Sequence, residues 1–257
     1  MKNVLYIPVF CILFFVGPNT KIKSQQTSDI KPFKSGENLK YIMSYGWIKG
    51  GEAKLKMEKR LYNGKQVYYV KAVGKTIGVA HSIYHVIDIY ESWFDVNSGL
   101  PYKSIMDLTE AKYKNYNVVH YNQAKKTLVS KKSGKKRLKH KVFDIISAFY
   151  HMRQSLNNLK IGQKVTIHTY FHDDPWDLVV RYKGNETIKT EVGKINCMKF
   201  KPVVEKGTFK DENALDIWIS NDKNRVPVRA KMKFFVGSFK TDLVEYSGLV
   251  YPLKIQK

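Results

Sequence analysis

The sequence predicts a mainly β protein: a long antiparallel meander curled into a barrel or half-barrel, with one central helix packed on or in it. Three observations carry this. Roughly a dozen segments alternate apolar and polar residues with the period of two that gives a strand one buried and one wet face. Short turn signals, above all Asn63-Gly64, separate consecutive segments, so neighbours pair as hairpins. Only Phe143 to Leu156, FDIISAFYHMRQSL, carries the helical period, and a meander of this length must curl to hide its faces and edges.

Taken in order, the chain begins with Lys2 and an apolar run, VLYIPVFCILFFV, that Gly17 and Pro18 break. Such a run has the length of a signal-peptide core and is short for a membrane span. Residues 1–24 therefore read as an export signal, 25–32 as a polar leader, 33–250 as a single β-rich domain and 251–257 as a tail. An uncleaved anchor helix is the other reading. Cys11 sits mid-run without a lipobox around it, and Cys197 is the sole cysteine after the signal, so no internal disulfide can form.

In the domain, Glu37 to Gly46 has strand spacing, Gly50-Gly51 reads as a turn, and Ala53, Leu55 and Met57 alternate with charged neighbours. Gln66 to Thr76 returns from the Asn63-Gly64 turn. Val79 to His85 can form a helical turn before a strand from Val86, and further strands follow at Tyr102 to Glu110, Tyr113 to Tyr121 and Thr127 to Lys132. The tract Lys125 to Lys141 is basic throughout and reads as a solvated hairpin around Ser133-Gly134 whose lysines protect a sheet edge. Beyond the helix, Gly184-Asn185 and Gly193-Lys194 read as turns between strands, and Asp173-Asp174-Pro175 as a hairpin tip.

The helix, expected over 143–157, places Ile145, Ile146, Phe149, Met152 and Leu156 on one apolar stripe, with Asp144 positioned to cap its first turn. Arg153 falls inside the apolar arc. Either its stem packs on apolar surface while its head reaches an edge or an internal salt bridge, or it anchors an anionic headgroup in a cavity beside the helix.

The formal charge of +23 implies attraction to polyanions. Behind an export signal the partners become lipid headgroups, lipopolysaccharide or acidic glycans, with a membrane surface as a further candidate and nucleic acid set aside. Tyr45, Trp47, Tyr90 and Trp93 are aromatic candidates for lining a lipid or glycan cavity, with Arg153 as anion anchor. No catalytic constellation, cofactor motif or metal site is expected. Gly74-Lys75-Thr76 lacks the upstream glycine of a phosphate loop, and no G-x-S-x-G elbow occurs. His81 and His85, like His168 and His172, are four residues apart, about 13 Å on a strand, so only a helical conformation could make either pair a chelate.

FKSGENLKYIMSYGWIKGGEAKLKM (33–57), DIYESWFDVNSGLPYKS (88–104), DIISAFYHMR (144–153) and DIWISNDKNRVPVRAK (216–231) together resemble the bacterial family called domain of unknown function 3108. The resemblance implies an exported bacterial protein of mainly β structure, from a Bacteroidetes-like organism, and brings no catalytic residues with it. Members are sometimes labelled as exonuclease subunits, for which this sequence offers no clustered acidic metal site.

The resulting expectation is an exported, non-enzymatic protein of the periplasm or outer-membrane periphery. It holds an amphipathic or anionic ligand on the concave side of its sheet, under the helix. A glycan-acting enzyme would instead need two of Asp88, Glu91, Asp173 and Asp174 in one cleft, and an assembly protein would have no pocket and a large exposed patch.

Overall fold

A computed structural model describes residues 31–203, 215–234 and 237–256. The export signal expected over 1–24 lies outside the described residues, as does most of the leader. The elements are β1 (Asn38–Tyr45), β2 (Ile48–Tyr62), β3 (Lys65–Thr76), α1 (Gly78–Ile83), β4 (Val86–Asp95), β5 (Pro101–Glu110), β6 (Tyr113–Asn122), β7 (Thr127–Ser130), β8 (Gly134–Arg137), α2 (Ile145–Ser155), β9 (Lys164–Phe171), β10 (Asp174–Thr190), β11 (Gly193–Pro202), β12 (Leu215–Ser220), β13 (Pro227–Phe234), β14 (Gly237–Ser247) and β15 (Ile255–Gln256).

All strands join one sheet in the order β8-β7-β6-β5-β4-β3-β2-β1-β14-β13-β12-β11-β10-β9, with β15 added to β11. Two meanders, β1–β8 and β9–β14, are thus zipped together where β1 pairs antiparallel with β14. β8 and β9 remain as edges, and the sheet is not closed by pairing between them.

The chain entering α2 bridges that seam. Phe143 N–H donates to the His168 carbonyl, and Tyr170 N–H to the Phe143 carbonyl, each at 2.8 Å, which makes a short parallel contact with β9. On the other side Gln123 Nε2 donates to the Val142 carbonyl at 2.9 Å. Val119, Tyr121, Leu128, Leu138, Val142 and Tyr170 form a small apolar cluster at the same seam. The basic hairpin contributes to closure as well, since Lys136 Nζ donates to the Asp173 carbonyl at 2.5 Å.

The expected helix is present and fills the concave side. Its stripe of Ile145, Ile146, Phe149, Met152 and Leu156 is buried, and so are Ala148 and Tyr150 on other faces, as in a helix surrounded by core. One continuous core joins α2 to residues of strands from both meanders. Asp144 caps the helix as expected: Oδ1 accepts from Ile146 N (2.8 Å) and Ser147 N (3.1 Å), while Oδ2 accepts from the hydroxyls of Ser92 (2.6 Å) and Ser147 (2.9 Å). Burial pushes its carboxyl pKa up, and these hydrogen bonds oppose the rise.

The Asn63-Gly64 hairpin forms with positive φ at both residues, 50° and 74°, as a type I′ turn requires. Four turn expectations are corrected. Gly193 and Lys194 open β11, and the turn before them falls at Glu191-Val192. Gly50 and Gly51 lie within β2, and the turn falls at Gly46-Trp47. These glycines serve close approach: a Cβ on Gly50 would stand 3.3 Å from the Ala80 Cβ of α1, and one on Gly51 would stand 2.9 Å from the Met43 terminal methyl. Gly184-Asn185 marks a bulge in the continuous β10, where pairing with β11 shifts register and Gly184 takes φ 105°. The β9–β10 tip is His172-Asp173, with φ of 49° and 69°, and Pro175 sits in strand β10 opposite Tyr170.

Candidate functional site

The five residues singled out from sequence do not converge. Arg153 is 1% exposed and saturated by the fold. Its Nη1 donates to Glu37 Oε1 at 2.6 Å and Nη2 to Glu37 Oε2 at 2.9 Å, a bidentate pair whose side chains are both fully buried. Nη2 also donates to the Pro32 carbonyl at 2.9 Å, and Nε and Nη2 share the Asn224 carbonyl at 3.2 and 2.9 Å. The reading of Arg153 as an anion anchor is therefore corrected. The carboxylate just ahead of β1 occupies the fork, and the guanidinium ties the helix to the 32–37 segment and the β12–β13 turn.

Alternation along β4 separates the next two. Tyr90 faces inward, 2% exposed, with its ring 6.4 Å from Phe171. Trp93 faces outward, against Tyr69 at 4.8 Å and beneath the Lys103 ammonium at 4.6 Å. On the concave side, where these residues were expected to line a ligand cavity, α2 packs into one continuous core with the described strands.

A small cleft lies at the seam, about 40 Å³, bordered by Tyr90, Ser104, Asn117, Tyr121, Asp144, Tyr170 and Asp173. That holds a few waters and falls far below the roughly 300–1,000 Å³ of a small-molecule pocket. Its acids are committed to structure: Asp144 caps the helix, Glu91, which also borders the cleft, pairs with Lys71 at 3.1 Å, and Asp173 Oδ1 accepts from the Tyr170 hydroxyl at 2.9 Å and from Asn117 Nδ2 at 3.2 Å. Burial would raise the Asp173 pKa, but hydrogen bonds from Ser130, Ser133, Tyr170 and Asn117 outweigh it and hold the pKa at about 2. Of the other acids considered for catalysis, Asp88 is buried and Asp174 is exposed at the hairpin tip.

Tyr45 and Trp47 lead to a different place. Trp47, in the β1–β2 turn, is 90% exposed. Antiparallel pairing brings several chain segments to the same end of the barrel. Tyr45 lies opposite Phe239 at the start of β14, their rings 5.1 Å apart. Ile48 starts β2, and α1 rests on β2 through Gly50, whose carbonyl accepts from Ile77 N at 3.0 Å. The α1 helix buries none of its residues, leaving Val79 72% and Ile83 79% exposed. Ala111 N donates to the His85 carbonyl at 2.7 Å, which draws the β5–β6 turn and the exposed Tyr113 alongside.

Most large apolar side chains that the described residues expose are thus gathered on one rim. Lys49 stands there, paired with Glu191 at 2.7 Å, together with the exposed Lys233. Sequence reasoning included Tyr45 and Trp47 but missed Ile48, Val79, Ile83 and Phe239. The available signal was the short helical turn beginning at Gly78, in which Val79, Ala80 and Ile83 outnumber the polar His81 and Ser82 although the turn buries none of its residues.

The sequence matches, over residues 40–244, the family described as "Protein of unknown function (DUF3108)". A comparison with curated proteins finds no match. Among solved structures, a β-barrel-like protein of domain of unknown function DUF1849 from Brucella abortus aligns over 84% of this chain and 98% of its own, at 9% identity and a TM-score of 0.57, which shows a shared fold. A candidate exported protein with a YmcC-like fold from Bacteroides fragilis (10% identity, TM-score 0.39) and a candidate lipoprotein from Parabacteroides distasonis (11%, 0.36) each align over 84% of this chain and over 97% and 98% of their own.

Proposed function

The chain belongs to the DUF3108 family of proteins of unknown function, and from that premise we propose that it is an exported, non-enzymatic cell-envelope protein that docks on an anionic bilayer surface. The carrying observation is the apolar rim on a strongly basic barrel. Trp47, Ile48, Val79 and Ile83 project from turns and a one-sided helix at one end, where they can enter the headgroup region without disturbing the core. The formal charge of +23 supplies long-range attraction to anionic lipid. The apolar run after Lys2 supports export.

This reading moves the lipid contact from the concave side, where α2 sits, to the rim. Co-sedimentation with vesicles of phosphatidylcholine containing phosphatidylglycerol tests it. Binding is expected to rise with the anionic fraction, to fall with added salt and to weaken in Trp47→Ala. Equal partitioning of wild type and Trp47→Ala, or capture of the rim by a protein partner with no affinity for the vesicles, would overturn it.

A further inference from the structure

We propose that His81 and His85 form a surface site for a divalent transition-metal ion of the zinc, nickel and copper class. On a strand the two side chains would be too far apart to share an ion. The chain instead turns through α1, with His81 on the helix and His85 just beyond its end. His81 Nε2 and His85 Nδ1 stand 3.0 Å apart, with ring centroids at 4.4 Å and an interplanar angle of 67°. Two imidazole nitrogens each about 2.0–2.1 Å from one ion are separated by roughly 3.0–3.4 Å, so little adjustment is needed to admit it.

The surroundings prepare the pair. His81 Nδ1 lies 3.2 Å from the Thr76 carbonyl, which can only accept, so Nδ1 carries the proton and the Nε2 lone pair is turned toward His85. A ligating histidine whose second nitrogen donates to a backbone carbonyl is the usual supporting arrangement in metal sites. Thr76 is itself fixed, its hydroxyl donating to the Tyr84 carbonyl and accepting from Val86 N, each at 3.0 Å. The His85 backbone is held from the β5–β6 turn by Ala111 N. Without metal, His85 Nδ1–H donates to His81 Nε2. The ion replaces that proton, and His85 then carries its proton on Nε2.

Among the described residues no group of three or more His, Cys, Asp or Glu side chains is placed to hold a metal, so the remaining coordination positions fall to water. Both histidines are exposed, and α1 contributes nothing to the core, so substitutions there leave the fold in place. The site does not depend on membrane docking.

The test is calorimetric titration of the untagged full chain with zinc at pH 7.5, alongside His81→Gln, His85→Gln and, as control, His140→Gln, at an exposed histidine between β8 and α2. Saturable binding of one ion per chain is expected. Losing either imidazole should weaken it by more than about tenfold, the lower end of what losing even a supporting partner costs. His140→Gln should bind as wild type. Absence of saturable binding up to millimolar zinc, or undiminished binding in both His81→Gln and His85→Gln, would overturn the proposal.

Discussion

Replacing Arg153 by leucine should be among the most damaging single substitutions in α2. Leucine fills part of the space but leaves the Glu37 carboxylate fully buried without its counter-ion, and strips the Pro32 and Asn224 carbonyls of their guanidinium donors. Removing one partner of a buried ion pair costs about 3–5 kcal/mol. For a protein of this size that lowers Tm by roughly 6–20 °C, at about 2–4 °C per kcal/mol. The double variant Glu37→Leu/Arg153→Leu removes both charges and should recover much of the loss, retaining a deficit of about 1–3 kcal/mol for the abandoned carbonyls. Urea unfolding of the wild type, both single variants and the double variant gives the coupling energy directly. A cost below about 1 kcal/mol for Arg153→Leu, or a double variant as unstable as the sum of the singles, would refute the assignment of this arginine as the tie between helix and barrel.

Other outcomes follow from the same contacts. His151 is packed on Phe143 with ring centroids 4.2 Å apart, and burial lowers its pKa from 6.5 to about 4. Because the unfolded chain takes up this proton first, the stability contribution is full above about pH 6.5 and is lost as pH falls toward 4, by about 3 kcal/mol in all. Melting curves across that window should show the slope, and His151→Gln should flatten it. Asp144→Ala removes the cap acceptor of two amides and strands the Ser92 and Ser147 hydroxyls, and should cost about 1–2 kcal/mol or more by chemical denaturation. Ile83→Asp, 79% exposed, should leave the melting temperature within about 2 °C of wild type while weakening vesicle binding, which separates the rim from the core.

The mainly β meander and its helix were legible because each rests on a local pattern: alternation for strands, a period near four for α2, and Asn63-Gly64 for the hairpin turn. Gly50-Gly51 and Gly184-Asn185 misled because glycine permits a tight turn, a close approach and a bulge alike, and only the neighbour decides which. For Gly50 the neighbour is Ala80, thirty residues away in sequence. The partner of Arg153 was hidden for the same reason. Glu37 is more than a hundred residues upstream, and nothing local marks it as buried. The rim was half visible: Tyr45 and Trp47 stood out as aromatics, but their company with Val79, Ile83 and Phe239 arises only from antiparallel pairing. Seam closure by the chain entering α2 rests on main-chain hydrogen bonds of Phe143 with β9, which no side-chain pattern announces.

Docking at the rim is tested most directly by fluorescence quenching with brominated lipids. Trp218 is 5% exposed in the sheet, and Trp47 is 90% exposed at the rim. With anionic vesicles whose acyl chains carry bromine near the headgroup, wild-type emission should fall on binding, and Trp47→Phe, which keeps the apolar ring, should bind but lose most of that quenching. Vesicle binding with quenching unchanged in Trp47→Phe would place the lipid contact elsewhere on the barrel and contradict the rim as the docking surface.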